Sequence, residues 1–436
     1  MKQERSSDEW SNNVHSGTRY YAPVILTALL LSFILVCSGC TEENPTTATV
    51  TPQAVRYTIS QSISDEAQKN TISFDALAFL TGSVGSQSFL PPGKVADYSG
   101  FQYLRDNDPT NLGHNTDFVT IIAFNVLNIL NSSQINMYVA AAQKQIDDIN
   151  DFAYMRFPLL QAFRRLKESD FPAGTSVLDN QAVEQFTASL YNLDGKISYE
   201  RAKLFGEVIA SLSADQRIKL DALKNLNGAG NWNRTLQDPL RDLHLNKDVN
   251  VAVMTYASEM YSWYAGSVIS DVYFCPERHG TYFGSFYLKD WPAMGNPNYT
   301  INEQLTASAG TDFLSVLSAD QSAKIDLLLN NQRAALNEMV QTREPISSEL
   351  RKLMNGSQPD SLLIISLSEK YGELDGRISY LYATVFTEIF NTLTTGQKDR
   401  LSSLVQNLGY QQPAGAFLYS QPITMPVINS GFQFFR

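Results

Sequence analysis

One long segment of this sequence occurs twice, and the repetition limits what the chain can fold into. Residues 193–223 align without a gap with residues 374–404, so that each residue pairs with the one 181 positions later. Apolar residues lead into both copies, over 183–197 and 364–378, at the alternating three- and four-residue spacing of a helix that packs lengthwise on another helix. We therefore predict an all-α fold in which one helical unit is built twice.

A short motif in this segment predicts the start of a helix. A Ser, Thr or Asn followed three residues later by Gln is typical of a capping box, in which each side chain accepts a hydrogen bond from the backbone N–H of the other residue. A Leu before the cap can pack as an apolar staple. The motif occurs four times, as Leu130, Asn131 and Gln134; Leu212, Ser213 and Gln216; Leu317, Ser318 and Gln321; and Leu393, Thr394 and Gln397.

Paired boxes of this kind, separated by long amphipathic helices, resemble the LTxxQ family of bacterial envelope proteins, the Spy and CpxP group. The boxes that begin at 130 and 212 are 82 residues apart, and those that begin at 317 and 393 are 76 residues apart. The resemblance covers residues 125–226 and 312–407. It implies two tandem long-helix hairpin domains and, because Spy-like hairpins form cradle-shaped dimers, a pseudo-dimer within one chain.

Two further alignments extend the repeated unit beyond the family resemblance. Residues 79–106 align with 263–290, and residues 156–166 align with 343–353. The role of the Tyr-, Gly- and Asp-containing loops at 79–106 and 263–290 stays open. The predicted organisation is a signal peptide at 1–39, a flexible tether at 40–65, a first helical repeat at 66–228, a linker at 229–247, a second repeat at 248–412 and an irregular tail along the surface at 413–436.

The second long helix of each predicted hairpin carries a glycine inside its apolar seam, at Gly195 and Gly376. A glycine within a helix costs about 0.5–1 kcal/mol relative to alanine. Either the close approach of another helix offsets this cost, or the chain turns at the glycine. The sequence leaves both possibilities open.

The first long helix of each predicted hairpin, about 132–168 and 319–354, contains a proline, which predicts a kinked or split helix. Basic residues flank both prolines, and an Arg- and Pro-containing break is also similar to the Spy-group pattern. Since the cradles of that group are basic on their binding face, these cations are the predicted client-binding residues. They are Arg156, Arg164, Arg165, Arg343, Arg351 and Lys352.

The N-terminal region has the features of a lipoprotein signal peptide. Its apolar run at 24–36 is shorter than the roughly 20 residues that a transmembrane helix needs. Ser38, Gly39 and Cys40 then resemble a lipobox, although Cys37 stands where Leu is usual. Cleavage before Cys40 would leave a lipidated cysteine, and the alternative is an uncleaved N-terminal anchor. Both place the body of the protein in the cell envelope, periplasmic or at the surface.

Composition and motif content argue against several other classes of protein. A net charge of −11 does not suit a general nucleic-acid-binding protein, which neutralises phosphates with Lys and Arg. Cys275 and His279 have the spacing of a metal-ligand pair, but the aligned positions of the other half, Pro91 and Val95, do not keep it. Asp106 has no accompanying nucleophile or phosphate-binding loop. We therefore expect no enzyme, no cofactor and no metal.

The resemblance implies a non-enzymatic, ATP-independent protein that binds unfolded or partner polypeptides and is anchored to a membrane by an N-terminal lipid. The alternative is a structural or sensory lipoprotein that docks one specific protein partner. A chaperone of this kind would bind many clients weakly, whereas a docking protein would bind one partner to saturation.

Overall fold

The structure is a computed structural model, and the helices that it describes confirm the predicted all-α class. Cys40, Arg156, the predicted signal peptide, most of the predicted tether, and residues 82–106 and 266–290 of the two loops lie outside the described residues. The structure describes residues 64–81, 117–155, 157–224, 233–265, 304–407, 416–418, 421–423 and 432–436.

Helices account for most of the described residues. The α-helices are α1 Asp65–Thr81, α2 Asp117–Leu127, α3 Ser132–Tyr154, α4 Phe157–Glu168, α5 Asn180–Ser211, α6 Ala214–Lys224, α7 Lys247–Ala265, α8 Gln304–Val316, α9 Ala319–Arg351, α10 Ser361–Thr392 and α11 Thr395–Asn407. Short 3-10 helices occupy Arg241–Leu243, Lys352–Asn355 and Phe432–Phe434. The strands β1 Ala416–Leu418 and β2 Gln421–Ile423 form one antiparallel hairpin.

The two longest seam-bearing helices, α5 and α10, pack against each other in antiparallel directions, and their glycines allow the close contact. A Cβ atom on Gly195 would lie 2.7 Å from Cβ of Ser368, and one on Gly376 would lie 3.1 Å from Cα of Glu184. Both helices continue through their glycines without a turn. The close-approach alternative is therefore confirmed, since a side chain at either position would separate the helices.

The leading helix of each predicted repeat, α1 or α7, packs on helices of the other predicted repeat, so α1 and α7 are called the exchanged helices. α1 lies against α8, α9, α10 and α11, whereas α7 lies against α2, α3, α5 and α6. The ring contacts of the two helices correspond: the Phe79 ring centroid is 5.7 Å from that of Phe386, and the Trp263 centroid is 5.7 Å from that of Phe205. Packing thus crosses the predicted boundary between the repeats, while the boundary itself stays a prediction.

Two apolar cores result, and each contains helices from both predicted repeats. The first core is formed by α2, α3, the second part of α5, α6 and α7, together with Ile346 and Leu350 of α9 and Ile364 near the start of α10. The second core is formed by α1, α4, the start of α5, α8, α9, α10 and α11. α5 and α10 therefore run from one core to the other, and burying both of their ends ties the cores together.

The predicted proline breaks have different outcomes in the two repeats. α3 ends at Tyr154 and α4 starts at Phe157, so that Pro158 occupies the first turn of a new helix, where its missing N–H costs nothing. α9 instead continues through Pro345, flanked by the fully buried side chains of Met339 and Ile346. Packing on both sides holds the second helix together across its proline.

The end of the chain is more deeply packed than a surface tail. Phe434 and Phe435 are buried in the second core, with the Phe434 ring 5.0 Å from that of Phe186. The backbone N–H of Asp179 donates to the Phe434 carbonyl at 2.7 Å. The prediction that the tail lies along the surface is wrong for these residues, because aromatic burial stabilises them in the core.

Candidate functional site

All four predicted capping boxes are formed. The side chain of Asn131 accepts from the Gln134 N–H at 3.0 Å, and the Gln134 side chain accepts from the Asn131 N–H at 2.9 Å. Ser213, Ser318 and Thr394 form the same reciprocal bonds with their glutamines. The preceding leucines, Leu130, Leu212, Leu317 and Leu393, pack into the two cores, as apolar staples should.

The boxes also meet in pairs, which the motif alone does not predict. Gln216 Nε2 donates to Gln134 Oε1 at 2.7 Å and to the Ile129 carbonyl at 2.9 Å. Gln134 Nε2 donates to the carbonyl and the hydroxyl of Ser211 at 3.2 and 2.9 Å. Each glutamine thus caps its own helix and binds the chain that leads into the other helix.

The second pair of boxes has the same arrangement. Gln397 Nε2 donates to Gln321 Oε1 at 2.7 Å and to the Val316 carbonyl at 2.9 Å, and Gln321 Nε2 donates to the Thr392 carbonyl at 3.1 Å. A glutamine is suited to this role because one amide supplies both a carbonyl acceptor and two N–H donors. The choice of Gln over Glu in all four boxes is the sequence signal that could have revealed the pairing.

The predicted client-binding cations do not form an exposed strip among the described residues. The side chains of Arg164 and Arg343 are each only 2% exposed. The Arg343 guanidinium carbon lies 5.9 Å from the centroid of the Tyr371 ring, inside the interface of α9 with α10. The client-binding prediction is corrected for these two residues, because their charged groups are packed against other helices rather than presented to a client.

The remaining predicted cations are engaged with neighbouring groups. Arg165 is half-buried and forms an ion pair with Asp170, and the exposed Lys352 contacts Glu349 at 2.6 Å. Arg351 lies over the Trp263 ring at 5.4 Å and donates to the Trp263 carbonyl at 3.1 Å. These contacts hold helix ends in place, which is a structural role that the charge pattern of the sequence does not distinguish from binding.

Lys167 makes the corresponding contact in the second core, although it does not align with Arg351 in the sequence. Its Nζ donates to the Phe79 carbonyl at 3.4 Å and lies 5.2 Å from the centroid of the Phe390 ring. Burial lowers the pKa of Lys167 to about 8, because removal from water disfavours the charged ammonium. A cation therefore contacts the end of each exchanged helix. Lys167 of α4 contacts the end of α1, and Arg351 of α9 contacts the end of α7.

A buried ion pair joins α5 and α7 in the first core. Arg201 Nη1 and Glu259 Oε2 are 2.9 Å apart, with the side chains 4% and 8% exposed. The guanidinium of Arg201 also lies 4.6 Å from the centroid of the Tyr256 ring. At the aligned positions the second core has Tyr382 and Asp75, so it holds its exchanged helix by other contacts.

A polar cavity of about 230 Å³ lies between α1 and α9 in the second core. Its floor contains two amides, Gln68 and Gln332, that are 2% and 1% exposed. Tyr382 donates to Gln332 Oε1, and Gln332 Nε2 donates to Gln68 Oε1 at 3.0 Å. Arg333 and Asp65 form an ion pair at the mouth, and the hydrogen bond from Arg333 lowers the pKa of Asp65. Leu329, Leu336 and Asn337 complete the lining.

The other candidate residues of the sequence, Cys275, His279 and Asp106, lie outside the described residues. Three aromatic residues of α7 that the sequence does not assign to a site, Tyr256, Tyr261 and Trp263, belong to the first core. Within the described ranges, no three His, Cys, Asp or Glu side chains are placed to share a metal ion. None of the helices in those ranges has the length and apolarity needed to cross a membrane.

Comparison with known proteins gives no match: no protein-family model, no curated protein and no solved structure is significantly similar to this chain. A function can therefore be argued only from the structure itself: from the paired capping boxes, the buried or ion-paired cations and the polar cavity.

Proposed function

We propose that this chain is an envelope-anchored, non-enzymatic protein that binds unfolded or partner polypeptides, held at the membrane by a lipid on Cys40. The observation that carries the proposal is the reciprocal glutamine pairing of the capping boxes. It gives a concrete structural purpose to the paired motif by which the sequence resembles the LTxxQ family. The proposal includes a pseudo-dimer that arose by duplication of one helical unit.

The contacts between the two repeats support the pseudo-dimer. Gly195 lies against Ser368, and Gly376 lies against Thr187, so that aligned residues make reciprocal contacts across the same helix pair. Ser368 and Thr187 each donate to a carbonyl of their own helix, and their hydroxyl oxygens lie directly against the facing glycines. Two copies of one unit, facing each other, would make these contacts by symmetry.

Client binding is proposed to depend on exposed apolar groups rather than on the predicted arginines. Leu362 and Leu363 follow the N-cap of α10 and are 78% and 38% exposed, so two adjacent apolar side chains are open to solvent there. Weak contacts with apolar client segments would suit promiscuous binding. Because such contacts are not ionic, binding should change little as the Debye length falls from about 10 Å to about 3 Å with added salt.

The test is an aggregation assay with residues 41–436. A chemically denatured model substrate is diluted into buffer without ATP, and light scattering is followed at several ratios of chain to substrate. We expect suppression near stoichiometry, and we expect the L362S/L363S variant to suppress less. The variant Ile218→Ser is the matched control, since Ile218 is 68% exposed on a different helix, α6.

Absence of suppression at every salt concentration would contradict the polypeptide-holding function. Cross-linking in the native envelope would then test the second candidate, docking to one specific partner. A single saturable cross-linked protein that is lost in the L362S/L363S variant would favour that candidate.

A further inference from the structure

The two cores share a buried glutamine at aligned positions but surround it differently. In the first core, Gln145 Nε2 donates to the Ile197 carbonyl at 3.2 Å and Gln145 Oε1 accepts from Tyr256 at 2.9 Å. In the second core, Gln332 donates to another side chain, Gln68, instead of to the backbone. The aligned glutamines therefore differ in role: Gln145 is hydrogen-bonded inside the packed first core, whereas Gln332 lines a cavity in the second core.

The residues around the two glutamines explain this difference. Arg333 aligns with Ile146, Gln68 aligns with Ala252, and Asp65 aligns with Val249. Ala252 and Val249 are buried apolar residues of the first core, and Ile146 packs against that core. Each apolar side chain of the first core is therefore replaced by a polar or charged one at the cavity of the second core.

The hydrogen bonds of the cavity floor favour a ligand that accepts hydrogen bonds. Gln332 Oε1 and Gln68 Oε1 both accept a bond already, whereas Gln332 Nε2 has two N–H groups and gives only one of them to Gln68. At the mouth, the Arg333 guanidinium already donates to the Asp65 carboxylate and, through Nη2, to Asn330 Oδ1 at 3.2 Å, and its planar set of donors matches a carboxylate. A buried amide and an adjacent guanidinium both point to an anionic acceptor.

We propose that this cavity binds a carboxylate group of a ligand no larger than about one amino-acid residue, with Arg333 and Gln332 as the donors. The volume of about 230 Å³ lies below the roughly 300–1,000 Å³ of drug-sized sites. Leu329 and Leu336 provide apolar walls for a small aliphatic part. Asp65, now paired with Arg333, is placed to receive a ligand ammonium group. A free amino acid and the C-terminus of a polypeptide both present this carboxylate.

The experiment measures binding of three small probes to the full chain by saturation-transfer NMR and calorimetry. Glycine has both an ammonium and a carboxylate, N-acetylglycine keeps only the carboxylate, and glycinamide keeps only the ammonium. We expect the two carboxylates to bind and glycinamide not to bind. Tighter binding of N-acetylglycine would assign the site to polypeptide C-termini, and tighter binding of glycine would assign it to free amino acids. No binding of any probe, or equal binding of all three, would overturn the proposal.

Variants that carry the side chains of the first core at the aligned positions test whether Arg333 and Gln68 contribute to carboxylate binding. Arg333→Ile and Gln68→Ala introduce the side chains found at the aligned positions, and we expect each to weaken carboxylate binding by about tenfold or more. Because Arg333 is 45% exposed, its replacement should leave the fold intact, and Arg333→Gln is a second variant if it does not. Lys69→Ala is the control, since it removes the 2.6 Å ion pair of α1 with Asp326 on α9 outside the cavity. A loss of binding in Lys69→Ala equal to that in Arg333→Ile would overturn the proposal.

This inference does not depend on the proposed function, because the probes bind or fail to bind in the absence of any client. Suppression of aggregation without probe binding would overturn only the proposal that the cavity binds a carboxylate. Probe binding without suppression of aggregation would overturn only the polypeptide-holding function.

Discussion

The first and second cores have closely matching helices but hold their exchanged helices with different chemistry. The first core fixes α7 with the buried Arg201–Glu259 ion pair, whereas the second core fixes α1 with the Tyr382, Gln332 and Gln68 side-chain hydrogen bonds beside a cavity. Both cores have the same double capping boxes and the same glycine contacts. The backbone frame is therefore shared, and the buried polar groups are where the two cores differ.

The largest expected effect comes from breaking the buried ion pair of the first core. Glu259→Ala leaves the Arg201 charge in a site that is 4% exposed, and we expect a loss of about 3–5 kcal/mol in the free energy of unfolding. Urea denaturation measures the loss. Hydrogen exchange should show faster exchange in α7 than in α1.

The double variant R201M/E259L is the control, because replacing both charges with apolar groups of similar size is expected to be close to neutral. Equal acceleration of hydrogen exchange in α1 and α7 after Glu259→Ala would show that the two cores open as one unit. The two cores would then have no separate stabilities to compare.

The next effect is a pH dependence confined to the second core. The folded pKa of Lys167, about 8, lies below its ordinary value of 10.5. Charging Lys167 therefore costs folding free energy below about pH 8, and this cost disappears as pH rises toward 10.5. Stability should rise by about 3 kcal/mol across that window.

Urea denaturation between pH 7 and pH 10 checks this prediction, with Lys167→Met as the control that should remove the rise. Arg351, the cation that makes the corresponding contact with α7 in the first core, stays charged throughout and should contribute no such dependence. A parallel rise in the Lys167→Met variant would assign the effect to other groups.

A smaller loss is expected where α5 and α10 touch. A Cβ on Gly372 would lie 2.6 Å from Cβ of Tyr191, so Gly372→Ala should cost about 1–3 kcal/mol despite the better helix propensity of alanine. Gly396 has no atom within 4 Å of its added Cβ, so Gly396→Ala should be neutral or slightly stabilising. Thermal unfolding of both variants checks the pair, and a stabilised Gly372→Ala would contradict the close approach.

The smallest effect compares the two pairs of glutamines. Gln134 is 2% exposed, whereas Gln397 is only half-buried. We expect Gln134→Ala to cost about 2 kcal/mol and Gln397→Ala about 1 kcal/mol, since unsatisfied partners cost more where water cannot replace the bond. Chemical denaturation of both variants measures the difference. Equal losses would mean that burial does not distinguish the two pairs.

Much of the fold could be predicted from local patterns. The capping boxes and the apolar seams of α5 and α10 were predicted close to their observed positions, because helix starts and amphipathic faces depend on residues three or four apart. Asp179 and Asp360 cap α5 and α10 without a glutamine three residues later, so only the general preference for Asp at the N-cap could have found them. The burial of Arg164 and Arg343 could not be predicted, because a basic residue has the same spacing in the sequence whether its helix face is exposed or packed.

The sequence by itself determined where the helices begin, which faces are apolar and that one helical pattern occurs twice, since these properties depend on contacts within a few residues. The tertiary structure decided the exchange of α1 and α7, the pairing of the capping glutamines and the burial of Arg164 and Arg343. It also placed Asp65 and Gln68 beside Gln332 and Arg333 to form the cavity. These contacts join residues from different helices, and which helices meet is a choice made by packing the whole chain into two cores.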